Sequence, residues 1–299
     1  MKDIYFQPVV KKPNIPQKLI KFTSHWLTLC CPYLSVLLAK KLLGNPFSRR
    51  VYTMRTEFGP LSIMLKTSMG EVCLHTFKRE ETEHGKNVFL CHGWGDTSTR
   101  FTQLINHLLK QGHTVYSLDQ VGHGASQGNY SDLYGFIEGT TQALEYMCAQ
   151  GCAADVVIGH SMGALGVMNQ PVEILEGKKI VLISAPALYF ENMHNAVVSV
   201  GISKLMLTNL LERVSLQRET DWQTLAESHN VHKVAKKSLF IHDTSDTICP
   251  YTDTKNLVKG LEHTFYSTHN LGHTQLLKDI GLLNRVSSFV ESELTTKTI

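Results

Sequence analysis

The feature that most constrains the fold of this chain is a regular alternation of short apolar segments with longer amphipathic ones. Residues 87–93 are mostly apolar and end in glycine, which is typical of a strand buried within a parallel sheet. The next segment, 101–109, places its apolar side chains three and four positions apart, which predicts a helix. Strands that alternate with helices form βαβ units, so the sequence predicts an α/β fold with a mostly parallel central sheet flanked by helices.

The same alternation extends along most of the chain. Strands are expected at 51–58, 71–78, 87–93, 113–119, 155–160, 179–186, 238–243 and 263–268. Further helices are expected at 131–150, at 162–176, near 253–260 and in a C-terminal segment whose apolar face carries Leu276, Leu277, Ile280, Leu283, Val286 and Val290. Pro171 should bend the helix at 162–176 or end it early, because proline lacks the N–H that a helix interior needs.

Residues 187–236 interrupt the alternation, because they contain helix-like segments and no convincing apolar strand. Ligands of open α/β sheets bind outside the carboxyl ends of the strands, so an insertion between two strands can form a helical cap, or lid, over that edge. The expected organisation is an N-terminal helical extension at 1–50, an α/β catalytic domain at 51–186 and 237–299, and the cap at 187–236.

Composition narrows the class of protein. Lysine and arginine number 29 and aspartate and glutamate 26, a balance that argues against nucleic acid as a partner. Apolar residues make up 42% of the chain and charged residues 18%, which argues against disorder. The seven cysteines include no C-x-x-C pair, and several lie in apolar segments. We therefore expect reduced thiols and a cytoplasmic protein.

The N-terminal region leaves alternatives open. Residues 22–39 contain no acid, lysine or arginine, and their length is close to the ~20 apolar residues that span a bilayer. Pro32 interrupts the segment and several polar side chains dilute it, so a membrane span is the least favoured interpretation. A helix packed on the catalytic domain is favoured, and peripheral contact of residues 22–39 with a membrane is the intermediate one.

One motif carries the chemistry. The strand at 155–160 leads into Gly159-His160-Ser161-Met162-Gly163, which has the form G-x-S-x-G, and a helix follows. In a nucleophile elbow this strand–turn–helix context lifts the serine hydroxyl above the sheet edge, and glycines are needed where neighbouring backbone passes close. An ordinary strand–helix turn with a capping serine is the simpler alternative, and the context favours the elbow.

At this point the chain resembles the α/β-hydrolase family over roughly residues 51–295, and within it the serine esterases of the lysophospholipase and monoacylglycerol lipase type. Four further segments match the family in its order along the chain. They are 91–96, similar to the H-G-x loop; 119–126, similar to D-x-x-G-H-G-x-S; 239–250, similar to the acid-bearing strand and loop; and 271–274, similar to the histidine loop.

The resemblance implies a Ser-His-Asp triad. Ser161 would be the nucleophile, and it needs a base because a serine hydroxyl is a poor nucleophile near pH 7. His273 is the expected base, with His269 the nearest competitor. The acid that orients the imidazole is expected at Asp246. Asp243 is the other candidate, and it stands where the family commonly has glycine, so it would instead cap or brace the loop.

The resemblance also implies an oxyanion hole made from two backbone N–H groups, those of Trp94 and Met162. The Trp94 side chain is expected to line the pocket or to pack within its loop. His92, His123 and His160 lie inside the motifs, and we interpret them as packing or loop hydrogen-bonding residues.

The predicted function is cleavage of carboxylic esters through an acyl-enzyme intermediate. The expected substrate is a small-molecule ester or lipid-like ester with a short to medium, moderately apolar acyl group, because residues 197–211 of the cap segment are mostly apolar with few charges. The same triad serves thioesterases, acyltransferases and peptidases, and a non-catalytic binding protein on this fold is a further alternative. Neither metal-binding nor dinucleotide motifs occur, so no cofactor and no metal are expected.

Overall fold

The computed structural model describes residues 14–46, 59–79 and 85–292. Within it the chain divides into two compact units. One combines the N-terminal segment up to Asn45 with Leu188–His229, and the other combines Pro46–Ala187 with the chain from Asn230 onward.

The described residues contain eight strands and twelve α-helices. The strands are β1 Leu61–Thr67, β2 Gly70–Phe77, β3 Asn87–Cys91, β4 Thr114–Asp119, β5 Val156–His160, β6 Lys179–Ile183, β7 Ser238–Asp243 and β8 Thr264–Thr268. The helices are α1 Ile15–Cys30, α2 Pro32–Leu43, α3 Thr102–Lys110, α4 Leu133–Ala149, α5 Met162–Met168, α6 Val172–Leu175, α7 Tyr189–Ser199, α8 Lys204–Arg218, α9 Glu227–Val234, α10 Tyr251–Leu257, α11 Gly272–Gln275 and α12 Ile280–Glu291.

The strands form one sheet in the order β1-β2-β4-β3-β5-β6-β7-β8. Strand β2 is antiparallel to both β1 and β4, and all pairs from β4 through β3 to β8 are parallel. The predicted α/β class with a mostly parallel sheet is therefore confirmed. Because the parallel strands run the same way, their carboxyl ends meet at one edge, where Ser161 and the loops after β3, β4, β7 and β8 begin.

The core explains why these segments form strands and helices. Strands β3, β5, β6 and β7 are buried on both faces, which requires nearly continuous apolar sequence. On one face the apolar stripe of α3 and that of α12 pack against them. The residues that form this cluster include Val88, Leu90, Leu104, Leu108, Ile158, Val181, Ile241, Leu282, Val286 and Val290.

Three segments differ from the sequence-based expectation or fall outside it. The strand expected at 51–58 lies outside the described residues. Strand β1 was not expected, because its side chains are exposed or half-buried and its alternation is weak. The C-terminal helix is shorter than its apolar pattern suggests, since Asp279 adopts an extended conformation and caps α12 through the N–H of Leu282. The break at Pro171 occurs as expected, between α5 and α6.

In the unit that contains the N-terminal segment, helices α1 and α2 pack on α8 of the insertion. The Ser203 N–H donates to Ser24 Oγ at 2.9 Å, and Gln17 Nε2 donates to the Ser199 carbonyl oxygen at 2.7 Å. The extension expected at 1–50 therefore contains, where it is described, two helices held to the insertion by direct hydrogen bonds. Within the described ranges, no helix has the length and apolar character needed to cross a bilayer.

Candidate active site

Ser161 lies between the end of β5 and the start of α5, with φ 52° and ψ −124°. A positive φ is strained for serine, and such strain persists only where the surroundings enforce it. Here the Ser161 N–H donates to the Ile183 carbonyl oxygen at 2.9 Å, and the Ala164 N–H donates to the Ser161 carbonyl oxygen at 2.9 Å. The turn therefore has the geometry of a nucleophile elbow, with the side chain half-exposed at the sheet edge.

Three glycines allow this turn to form. A Cβ at Gly163 would lie 2.3 Å from the Cys91 carbonyl oxygen, and a Cβ at Gly159 would lie 2.7 Å from the Ala164 nitrogen. A Cβ at Gly93 would lie 2.8 Å from Ser161 Cβ. Because a real Cβ does not approach so closely, backbone contacts require both glycines of G-x-S-x-G, and the Ser161 side chain requires the glycine of the loop after β3.

His273 lies in α11, after the last strand, and connects the other two predicted triad residues. Its Nε2 is 3.0 Å from Ser161 Oγ, and its Nδ1 is 2.7 Å from Asp246 Oδ2. Since a carboxylate only accepts hydrogen bonds, Nδ1 carries the proton and Nε2 is free to accept one from the serine hydroxyl. The structure thus brings together all three residues named from the motifs.

Asp246 is buried and held by several donors. Its Oδ1 accepts hydrogen bonds from the N–H groups of Ile248 and Cys249, both at 2.9 Å. Burial alone would raise the pKa of Asp246, but hydrogen bonds from His242 and His273 outweigh it and hold the pKa far below the usual range. The carboxylate therefore remains ionised, which fixes the tautomer of His273. The contact of His242 Nε2, 3.3 Å from Asp246 Oδ2, was not predicted from the sequence.

Asp243, the alternative acid, has other partners. Its Oδ1 accepts from the N–H and the hydroxyl of Ser245, and its Oδ2 accepts from Thr268 Oγ1 and the Leu271 N–H. These bonds tie the loop after β7 to the loop that carries His273. The competing base, His269, is exposed and its Nδ1 is paired with the Thr244 hydroxyl at 3.0 Å.

The two predicted oxyanion donors flank the nucleophile. Met162 is the first residue of α5, so its N–H belongs to the set that a helix leaves without an internal partner. Trp94 directly follows Gly93, whose backbone lies against Ser161. The Trp94 ring is 37% exposed and stacks on Phe136, with 6.3 Å between the ring centroids.

Two neutral histidines brace the loop that contains Trp94. His92 Nδ1–H donates to the Gly93 carbonyl oxygen at 2.7 Å, while its Nε2 accepts from the Gln120 N–H at 3.0 Å. His123 Nδ1–H donates to the Val121 carbonyl oxygen, and its Nε2 accepts from the Gly95 N–H. Burial lowers the pKa of His92, and it lowers that of His123 to about 3, so both rings accept as well as donate.

His160 holds the base loop against the elbow. Its Nε2–H donates to the His273 carbonyl oxygen at 2.9 Å, and the two rings are 5.0 Å apart. Burial and the nearby His273 lower the pKa of His160 to about 3, so it is neutral. The general interpretation of His92, His123 and His160 as loop hydrogen-bonding residues agrees with these contacts, but their individual partners could not be read from the sequence.

Asp119, at the end of β4, organises the neighbouring loops. Its two carboxylate oxygens accept from the N–H groups of Ser98 and Ala125, at 2.7 and 2.8 Å. His75 Nε2 on β2 lies 3.3 Å from Asp119 Oδ2, a pair that the sequence did not reveal. Burial alone would lower the pKa of His75, but the hydrogen bond to Asp119 outweighs it and raises the pKa to about 9.

Known proteins resemble this chain in sequence. A family model described as serine aminopeptidase, S33, matches residues 82–237, just over half of the chain. The chain is 30% identical over 132 residues to monoglyceride lipase of Homo sapiens, a match that covers 41% of this chain and 43% of that protein. It is 29% identical over 131 residues to monoacylglycerol lipase of Mycolicibacterium smegmatis, covering 40% of this chain and 44% of that protein. Each match thus spans less than half of the relative.

Solved structures agree on the fold. An esterase of Pyrococcus furiosus superposes with a TM-score of 0.60 at 19% identity, covering 79% of this chain and 93% of that one. An α/β serine hydrolase without a lid from Xanthomonas campestris superposes with a TM-score of 0.55 at 16% identity, covering 79% and 97%. At these identities the likeness establishes the α/β-hydrolase fold.

Proposed function

Because the chain belongs to the serine aminopeptidase S33 family of α/β-hydrolases, we propose that it is a serine hydrolase that cleaves carboxylic esters. The observation that carries the proposal is the position of His273. Its Nε2 is 3.0 Å from Ser161 Oγ while its Nδ1 is 2.7 Å from Asp246. A serine that only capped a helix would need neither contact.

In the first half of the proposed reaction, Ser161 Oγ attacks the ester carbonyl carbon as His273 Nε2 takes the hydroxyl proton. The carbonyl π electrons move to the oxygen, which the N–H groups of Trp94 and Met162 stabilise. When the tetrahedral intermediate collapses, the bond to the alkoxy oxygen breaks and His273 returns its proton to that oxygen. The products of this half are the free alcohol and an acyl group on Ser161.

In the second half, water replaces the alcohol. His273 removes one proton from the water as its oxygen attacks the acyl carbon, and the same proton returns to Ser161 Oγ when the acid leaves. The ionised Asp246 stabilises the imidazolium that forms in both halves without itself taking the proton.

The proposed substrates are small or lipid-like esters with short to medium, moderately apolar acyl groups. Two points support this: the matched relatives are named as monoglyceride and monoacylglycerol lipases, and residues 197–211 of the insertion are mostly apolar with Lys204 as their one charge. A series of p-nitrophenyl esters of increasing acyl length tests the proposal. A preference for strongly charged or very long acyl groups would contradict it.

A peptidase is the second candidate, because the matching family is described as serine aminopeptidase. The same triad can attack an amide, and His273 would then return its proton to the leaving amine nitrogen instead of the alkoxy oxygen. Parallel assays with an aminoacyl p-nitroanilide, a thioester and an ester of matched acyl group separate the candidates. Faster kcat/KM on the anilide than on the ester would favour the peptidase.

The first test is labelling with a fluorophosphonate, which needs no knowledge of the substrate. We expect wild-type protein to label and Ser161→Ala to lose labelling completely. Ser184→Ala is the matched control, since Ser184 also directly follows a strand and has a positive φ, 47°, but is fully buried. A folded wild type that does not label would favour a non-catalytic binding protein.

A further inference from the structure

Helix α1 presents an apolar face to solvent. Ile15, Leu19, Phe22, Trp26 and Leu29 recur at three- and four-residue intervals, so they form one stripe along the helix. Each is at least half exposed, with Leu19 at 62% and Phe22 at 61%. In an ordinary surface helix this stripe would face the core and the polar residues would face water.

The polar face of α1 is the buried one. Ser24 and Thr28 lie opposite the apolar stripe, and both are buried. Ser24 Oγ accepts from the Ser203 N–H, and the Thr28 hydroxyl is 2.7 Å from the Ser35 hydroxyl of α2. Because these bonds fix the rotation of α1 about its axis, the apolar stripe cannot turn inward without depriving the buried Ser203 N–H and the buried Ser35 hydroxyl of these partners.

Helix α2 repeats the arrangement. It buries Ser35, Val36 and Ala39 and exposes its large apolar side chains. The exposed ones are Tyr33, Leu34, Leu37, Leu38 and Leu42. Among the described residues, 11 of the 20 exposed large hydrophobic side chains belong to α1 and α2, which is far more than scattered exposure would give.

The charges of this segment have one sign. Residues 14–46 contain no aspartate or glutamate, while Lys18, Lys21 and Lys41 are exposed. Lys41 lies within the exposed face of α2, and Lys18 and Lys21 flank the stripe of α1. An apolar face bordered by lysines, with an exposed tryptophan and tyrosine, is complementary to the acyl chains and anionic headgroups of a lipid surface.

We propose that α1 and α2 together form a docking surface that lies flat on an anionic lipid bilayer. Spanning is excluded for these helices because α1 has 16 residues and so reaches about 24 Å, shorter than the ~30 Å hydrocarbon core. A second copy of the chain fits less well, since a two-fold pairing of this face would bring together two surfaces that carry lysines and, within residues 14–46, no acidic side chain to pair with them. The inference rests on the helices alone and does not depend on the proposed ester hydrolysis.

The test is co-sedimentation of the full chain with vesicles of phosphatidylcholine, with and without about 30 mol% phosphatidylglycerol. We expect binding to the anionic vesicles that weakens at high salt. The double variant Phe22→Glu/Trp26→Glu should bind at least tenfold more weakly, because it places negative charge on the part of the docking surface that would enter the bilayer. Ile280→Glu is the matched control, since Ile280 is 63% exposed on α12, and it should bind as wild type.

Charge and depth are tested separately. The triple variant Lys18→Gln/Lys21→Gln/Lys41→Gln should lose about 10- to 100-fold in partitioning onto anionic vesicles and little on neutral ones. Brominated lipids should quench wild-type tryptophan fluorescence more than that of Trp26→Phe, because Trp26 would lie at the acyl boundary.

Two outcomes would overturn the proposal. One is wild-type protein that stays in the supernatant with both kinds of vesicle. The other is a concentration-dependent dimer, seen by light scattering, that Phe22→Glu/Trp26→Glu abolishes while vesicle binding is unchanged. Ser161→Ala should bind vesicles as wild type does, so that failure of the docking proposal is distinguishable from failure of the catalytic one.

Discussion

At the sheet edge around Ser161, apolar side chains are buried and the carboxylates between them are each held by several donors, whereas α1 and α2 bury hydroxyl groups and expose leucine, phenylalanine and tryptophan. Asp246 has four donors within reach, and Ser24 and Thr28 share hydrogen bonds with the residue that precedes α8 and with α2. The two regions differ in whether their apolar side chains are buried or exposed to solvent, and hence in how much a substitution should change stability.

The difference teaches how to separate sequence patterns that specify the fold from those that specify a partner. At the sheet edge, backbone approaches within van der Waals contact leave little room for change, so substitutions there should be costly. On the exposed stripe of α1, a polar substitution removes few contacts in the folded chain. Its effect should appear only when the partner is added.

The largest effect should come from Asp246→Asn, which removes the carboxylate that orients His273 at the sheet edge. An amide can donate to His273 Nδ1 and so favour the wrong tautomer, and we expect kcat to fall on the order of 10⁴-fold. Ester hydrolysis measured at saturating substrate checks this.

Asp243→Asn is the matched control for that experiment, because Asp243 braces the same loop without contacting His273. It should lower the free energy of unfolding by about 1–3 kcal/mol and reduce kcat less than about tenfold. A greater loss of kcat in Asp243→Asn than in Asp246→Asn would mean that the acid is wrongly assigned.

Next comes Gly163→Ala, which tests the close backbone approach. The added Cβ would lie 2.3 Å from the Cys91 carbonyl oxygen, so β3 or the elbow must shift. We expect a loss of about 3 kcal/mol in urea unfolding together with a loss of activity. Gly59→Ala meets nothing within 4 Å and should change stability by less than about 0.5 kcal/mol. Equal effects at the two positions would contradict the steric argument.

A moderate effect should follow the charge of His75. Its pKa is raised to about 9 in the folded chain, so the stabilisation is complete below its ordinary pKa of about 6.5 and disappears as pH rises through 9. The pKa of Asp119 is lowered, so that carboxylate keeps its contribution until pH falls below about 4.

We therefore expect unfolding free energy to drop by about 1–2 kcal/mol between pH 6 and 9.5, after discounting for partial solvent screening. The profile of His75→Gln should be flatter by that amount over the same range. If the pH dependence of the unfolding free energy is the same in wild type and His75→Gln, the raised pKa of His75 is contradicted.

The smallest effect should be that of Leu19→Gln on the apolar stripe of α1. Because Leu19 is largely exposed, the free energy of unfolding in buffer should change by less than about 0.5 kcal/mol. Leu90→Ala, fully buried in β3, should lower it by about 3 kcal/mol. A destabilisation of Leu19→Gln close to that of Leu90→Ala would show that the stripe is packed after all, and the comparison between the two regions would fail.

Sequence patterns were sufficient for most of the sheet, since β3, β5, β6 and β7 contain nearly continuous apolar segments bounded by turns. They failed at β1, an edge strand whose half-exposed side chains show only weak alternation, and at Asp279, where capping interrupts an otherwise continuous apolar face. Local capping overrides periodicity because one residue decides where a helix begins.

For the site, the motifs named Ser161, His273 and Asp246, with Asp243 as the alternative acid. The resemblance favoured Asp246, and it is Asp246 Oδ2 that lies 2.7 Å from His273 Nδ1. The contact of His242 with Asp246 could not be read from the sequence, because it depends on how the loop after β7 turns. The catalytic roles themselves stay predictions until the labelling experiment is done.

The exposed stripe shows a further limit of periodicity. The spacing of apolar residues in α1 predicts an amphipathic helix equally well whether its apolar side faces the protein or the solvent. The orientation is decided by the hydroxyl groups of Ser24 and Thr28, which bind Ser203 and Ser35. Both partners lie outside α1, so the apolar spacing within α1 does not reveal them.

The elbow at Ser161 has a consequence for redesign. The location of its side chain is fixed by close backbone contacts at Gly159 and Gly163 and by the packing of its Cβ on Gly93, rather than by anything that the hydroxyl itself does. The identity of the reacting atom is therefore separable from its position: Ser161→Cys should present sulfur where oxygen now lies, within reach of the same imidazole. A fold of this kind can exchange one nucleophile for another by a single substitution, without changes to the residues that hold the turn.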